Sequence, residues 1–177
     1  MIHQPIVEYQ VETPPNTQTL RFIPGPQADY FAPEAFEIFC RSEFVISLNC
    51  DRMGYRLSGR PITHARGHDI VSDGIVMGSV QIPGYGQPIV LMADHQPTGG
   101  YPKIGTVIRA DLPVLAQARP GTSVRFQPIS VDDAVVALRG ALLRLKRIKP
   151  KATQNSAIDV DLLASGNHAS GIISALM

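Results

Sequence analysis

Glycine and proline punctuate this chain so closely that most of it can form only short elements. Its 177 residues include 15 glycines and 15 prolines, and from Ser72 to Val107 these bound one apolar stretch after another. Candidate strands fall at 75–82, 89–93, 104–109 and 123–128, recurring roughly every 10 to 15 residues. That spacing leaves no room for a helix between each pair of strands, which a doubly wound parallel sheet requires. A mainly β barrel or sandwich with a few helices satisfies it.

A chain of this length suits one domain and can bury a core without disulfide or metal staples. Sixteen basic residues against fifteen acidic give a formal charge of +1, so no global field draws the chain to a polyanion. It has no tryptophan and few aromatics set among basic residues, so no nucleic-acid partner is expected. Cys40 and Cys50 lack CxxC spacing and follow no secretory signal, and they read as reduced, largely buried thiols. Apolar runs fall far short of the roughly 20 residues of a membrane helix. The expectation is a cytoplasmic protein with no membrane partner.

Residues 1–20 read as a lead-in or linker, since Pro14-Pro15 and a polar run follow one short apolar patch. Residues 21–150 form the expected domain. It opens on a strand-like end broken by Pro24-Gly25-Pro26 and continues through a short helix at 33–39. Phe44, Ile46 and Leu48 then alternate with Val45, Ser47 and Asn49 in the period of a half-buried strand. A second short helix is predicted at 112–118. The one long helix is capped by Ser130, with Asp133 three residues on near the positive end of its dipole and Val131, Val135, Leu138, Leu142 and Leu145 in an apolar stripe. Residues 151–177, rich in Ala, Ser, Asn and Asp, read as a tail.

Function is expected around the polar turn from Asp94 to Lys103. If the two ends face one cleft, Lys103 neutralises a developing oxyanion while Asp94 orients an amide N–H, and both are the catalytic candidates. Gln96, Thr98 and Tyr101 offer neutral contacts, although Tyr101 equally suits a place over the core. Gly99-Gly100 either form an N–H nest for an anion or meet the φ demands of a turn. Arg52 and Arg56 suit carboxylate or carbonyl recognition, with structural ion pairing as the alternative. Asp73, in Ser72-Asp73-Gly74, reads first as a turn residue and second as a substrate contact. His64 and His68 could share a helical face, yet Gly67 and the missing glutamate of HExxH argue against a metal site. Neither a phosphate-binding GxxxxGK[ST] loop nor a Gly-x-Ser-x-Gly elbow is present.

A set of ordered motifs carries a family resemblance. They are Arg21-Phe22-x-Pro24-Gly25-Pro26, Asp51-Arg52-Met53-Gly54-Tyr55-Arg56-Leu57, Ser72-Asp73-Gly74-Ile75, Gly78-Ser79-Val80-Gln81-Ile82-Pro83, the run from Gly86 to Asp94, and Thr98-Gly99-Gly100-Tyr101-Pro102-Lys103-Ile104. From Arg21 to Ala137 the chain resembles the later half of the allophanate hydrolase subunit 2 family, whose members are called the C-type subunit of 5-oxoprolinase or biotin-dependent carboxyltransferase. The resemblance implies a cyclophilin-like β-barrel that works with A-type and B-type partner subunits in ATP-dependent opening of 5-oxoproline to glutamate. The implied alternative is the carboxyltransferase part of a urea carboxylase, fed by carboxybiotin. No cofactor is expected on this chain alone; ATP with Mg²⁺ belongs to the assembled enzyme, or biotin to the alternative. The family pattern Asp-Arg-Gln-Thr-Thr-Gly-Gly is departed from at Asp94-His95-Gln96-Pro97-Thr98-Gly99-Gly100, where an anion-binding arginine is lost. Because the family's earlier half is unmatched, the chain is expected to be inactive by itself. A non-catalytic regulatory protein, as in the sporulation kinase-inhibitor antagonist of this family, and a self-associating fragment are the competing readings.

Overall fold

The computed structural model describes residues 17–148 together with the backbone of Val7–Glu8 and Lys151–Ala152. Seven strands close into a barrel: β1 (Thr17–Pro24), β2 (Glu43–Cys50), β3 (Gly54–Ser58), β4 (Ser79–Gln81), β5 (Ile89–Leu91), β6 (Lys103–Val107) and β7 (Ser123–Pro128). Around the ring the order is β7-β1-β6-β4-β5-β3-β2, and β2 pairs back onto β7. All pairings are antiparallel except that of β1 with β7, which runs Thr17 beside Ser123 to Phe22 beside Pro128. The mainly β class and the barrel are as the sequence implies. Separately, Val7–Glu8 pairs antiparallel with Lys151–Ala152; the rest of the expected tail lies outside the described residues.

Strand alternation fills the barrel. Leu20 and Phe22 on β1, Phe44 and Ile46 on β2, and Val124 and Phe126 on β7 are buried, while their neighbours face outward. Pro33 starts α1 (Pro33–Arg41), which lays Ala35 and Phe39 over this core. Phe39 stacks on Phe126 at 4.3 Å between centroids and meets Phe22 edge-on at 5.2 Å. Each fully buried ring contributes roughly 1.5–3 kcal/mol by leaving water. The barrel strand β1 begins at Thr17, inside the stretch expected as lead-in, because Gln18 and Leu20 are already buried there.

The predicted strand 75–82 is cut to Ser79–Gln81. Gly78 takes φ +94°, Ser79 N–H donates to Val76 O, and the Ser79 hydroxyl accepts from Val76 N–H, so the chain turns before the barrel begins. Asp73–Gly74 instead pairs antiparallel with Thr98–Gly99 as a small two-stranded sheet. The segment holding His64 and His68 is irregular rather than helical. His64 Nε2 is bonded to Ile82 O at 2.9 Å, so no shared helical face exists. Cys40 and Cys50 are free thiols, and burial pushes the Cys40 thiol up.

Helix α2 (Leu112–Gln117) follows Asp111, whose carboxylate does not cap it. Asp111 instead accepts from the Arg21 backbone and guanidinium, tying α2 to β1. Helix α3 (Val131–Arg147) is capped by Ser130 as expected: Asp133 N–H donates to Ser130 Oγ at 3.1 Å, and the Ser130 hydroxyl donates to the Asp133 carboxylate at 2.6 Å. None of its residues is buried. No helix among the described residues is long and apolar enough to cross a membrane.

Candidate functional site

The outer face of three neighbouring strands carries a cleft of about 280 Å³. Strand alternation explains its lining. Leu57 on β3, Val90 on β5 and Val80 on β4 point into the barrel core, so Arg56, Ile89 and Gln81 at adjacent positions point outward. Asp51, Tyr85, Gln96 and Tyr101 complete the polar part of the wall. Arg56 reaches Tyr85, with Nη1 3.4 Å from the hydroxyl. Asp51 holds the β2–β3 turn, accepting from Met53 N–H at 2.8 Å and Gly54 N–H at 3.1 Å.

Beside this cleft lies a buried cation. Lys103 is 5 % exposed and its ammonium donates to Asp73 Oδ2 at 2.5 Å and to Gly74 O at 2.8 Å. Asp73 also accepts from Gln27 Nε2 at 3.2 Å, and Gln27 Oε1 receives the Lys103 backbone N–H. The Lys103 ammonium, helped by the Gly74 N–H, holds the Asp73 carboxyl below the usual carboxylate range. Gly25 makes this approach possible. A Cβ there would collide with Lys103 O, so only glycine fits after Pro24. Lys103 stands opposite Gln81 in the β4–β6 register, and Asp73 stands opposite Gly99.

Of the ten residues singled out in the sequence, Arg56, Gln96 and Tyr101 line the cleft, and Tyr101 is exposed rather than laid over the core. Lys103 and Asp73 form the adjoining ion pair. The two catalytic candidates have separate partners: Asp94 is exposed and takes a two-point bond from Arg52, at 2.6 and 3.0 Å. That guanidinium holds the Asp94 carboxyl low. Arg52 and Arg56 therefore do not act as one fork, because Arg52 lies in the turn and Arg56 on β3. Thr98 sits in the small sheet, and Gly100 O accepts from Ile70 N–H. Neither Gly99 nor Gly100 has positive φ, so they form neither the left-handed turn nor the alternating nest considered for them. Gly99 instead leaves space that the Gln81 amide occupies, since a Cβ on it would push the amide nitrogen aside.

Gln81, Gln27 and Tyr85 escaped the sequence reading. A glutamine between Val80 and Ile82 in a strand pattern was the available signal, since an uncharged polar group on a covered strand needs a reason to be there. Among the described residues no group of three or more His, Cys, Asp or Glu side chains is placed to hold a metal ion.

The model of the carboxyltransferase domain, subdomain A and B, matches residues 3–128. The chain belongs to that family. It is 39 % identical over 135 residues to the C-type subunit of 5-oxoprolinase from Haemophilus influenzae, covering 76 % of this chain and 44 % of that protein. It is 41 % identical over 118 residues to the corresponding 5-oxoprolinase subunit from Escherichia coli, covering 67 % and 38 %. The chain thus spans less than half the length of these relatives. The crystal structure of the K. lactis urea amidolyase superposes with TM-score 0.71 at 21 % identity, over 81 % of this chain and 9 % of that one, and bears out the fold.

Proposed function

We propose that this chain is the C-type component of a multisubunit enzyme that opens 5-oxoproline to glutamate with ATP. The observation that carries the reading is the identity of 39 and 41 % to two proteins named as this component of 5-oxoprolinase. The cleft chemistry supports it. 5-Oxoproline is a lactam bearing a carboxylate, and the wall offers one guanidinium, Arg56, with the neutral donors and acceptors of Gln96 and Tyr101. The Lys103 ammonium has three N–H bonds and donates two to Asp73 and Gly74. In this reading the third meets charge developing on the lactam oxygen, which a preorganised cation stabilises without reorganising. In this reading Asp73 and Gln27 position Lys103, while Arg52 and Asp94 brace the rim, with Asp94 as the acceptor for an amide N–H. Thr98, Gly99 and Gly100 shape the wall through their backbone.

In the same reading Mg²⁺–ATP belongs to the assembly with A-type and B-type partner subunits, and the residues of this chain bind and orient the lactam. The family match to a carboxyltransferase domain favours a second reading, carboxyl transfer from carboxybiotin to urea. ATP hydrolysis measured with 5-oxoproline, urea or neither separates the two, using the chain alone and mixed with its partners. Stimulation by 5-oxoproline only in the mixture is the expected result. Stimulation by urea moves the assignment to the carboxyltransferase, and a folded chain that stimulates nothing in any mixture overturns both.

A further inference from the structure

One side chain in the cleft wall is not satisfied by the protein. Gln81 is 2 % exposed, it lines the cleft, and its Nε2 is buried with no hydrogen-bond partner. Among the described side chains it is the one such nitrogen or oxygen atom. Leaving an amide in this condition costs stability, and in a native protein such an N–H is taken up by a water, an ion or a ligand. The surroundings preserve it. Gly99 leaves room for the amide in its present position, from which a Cβ would displace it, and the paired sheet of Asp73–Gly74 and Thr98–Gly99 fixes Gly99 there.

A carboxamide has an acceptor and a donor on one edge. An amide held in the cis arrangement has the complementary pair, C=O and N–H on the same edge. Lactam rings enforce that arrangement, and urea presents it on either side. An open-chain secondary amide is trans and points the two groups apart. We propose that Gln81 reads the substrate of this cleft, turning its amide about the terminal torsion to pair edge to edge with a cis amide. Arg56, on the same wall, selects the molecule that also carries a carboxylate. The inference rests on the cleft being the amide site proposed above.

The test is NMR on the ¹⁵N-labelled chain, following the Gln81 side-chain NH₂ signals, assigned by their loss in Gln81→Met. Probes are 5-oxoproline, 2-pyrrolidone, urea and proline, each at millimolar concentration. The first three should shift those signals, and proline, which has no ring carbonyl, should not. Gln81→Met should weaken 5-oxoproline binding by about tenfold or more, the worth of a lost hydrogen-bond pair. It should leave the thermal midpoint unchanged or raised, because an unsatisfied buried amide has been replaced by an apolar isostere. Arg56→Met should weaken 5-oxoproline but not 2-pyrrolidone. Shifts at cleft backbone signals without any at the Gln81 amide overturn this inference and leave the amide site standing. So does a Gln81→Met variant that binds as well as the parent, or that melts well below it, since the glutamine would then be structural. A Gln81→Met variant that does not fold counts as one that melts well below the parent and overturns the inference in the same way. No shift at any cleft residue with any probe overturns the cleft assignment itself.

Discussion

Lys103–Asp73 and Arg52–Asp94 have the same charges and nearly the same closest approach, 2.5 and 2.6 Å, and their carboxylates are each about half exposed, but their cations occupy different media. The Lys103 side chain is 6 % exposed, whereas that of Arg52 is 78 % exposed. Water and salt screen the second pair almost fully, and exposed pairs of this kind are worth little. The first cation has given up its hydration and depends on Asp73, Gly74 O and the surrounding wall. Two pairs that look alike as residue types therefore differ in what their loss would do. Only the buried one can be a preorganised charge in a site.

The largest expected effect follows directly. In the assembled enzyme Lys103→Met should lower turnover by about 100-fold or more, the scale of losing a preorganised charge, while Arg52→Met should stay within about threefold because its pair is screened. Steady-state ATP hydrolysis with 5-oxoproline measures both, and equal losses would erase the contrast between the pairs. Next comes the acid side of stability. Both Asp73 and Asp94 are held below the ordinary carboxylate pKa of about 4, so each contributes stability that is present above that value and lost as pH falls through its lowered folded pKa. Asp73→Asn should flatten the acid limb of the urea midpoint and lower the midpoint at neutral pH, since it leaves the buried ammonium with neutral acceptors. Asp94→Asn should change either much less, and molar salt should abolish its difference from the parent.

Adjacent glycines give a finer version of the same contrast. A Cβ on Gly99 would strike Gln81, while one on Gly100 would have only Ile70 O at 3.6 Å. Gly99→Ala should weaken cleft binding because the Gln81 amide must move aside, and Gly100→Ala should be nearly silent; titration of 5-oxoproline reads the difference. The smallest effect belongs to α3. Leu142 is 49 % exposed, so Leu142→Ala should shift the stability of the isolated chain by less than about 0.5 kcal/mol. A chemical denaturation curve checks it.

Local signals carried the sequence reading where one element decides its own form. Ser123–Pro128 matches its predicted span, and Ser130 and Asp133 start α3 as their spacing requires. The strand predicted from 75 failed at its beginning, because the turn at Gly78 depends on packing against Val107 O and Leu112 rather than on hydrophobic pattern. Lys103 was legible as a chemical group, but its partner was not. Sequence proximity pointed to Asp94, while the pairing of Asp73–Gly74 with Thr98–Gly99 delivered Asp73. Gln81 was hidden for the same reason: its orphaned amide is a property of what surrounds it, and only the register of β4, β6 and the small sheet specifies that.

The parallel seam between β1 and β7 joins the first barrel strand made on the ribosome to the last. Until Ser123–Pro128 emerges, six strands form an open sheet whose two margins, β1 and β2, expose unpaired backbone groups to any neighbouring nascent chain. Insertion of that single strand removes both margins at once. Synthesis of this domain is therefore most exposed to misassembly in its final stretch, and truncation before Ser123 leaves an aggregation template rather than a smaller barrel.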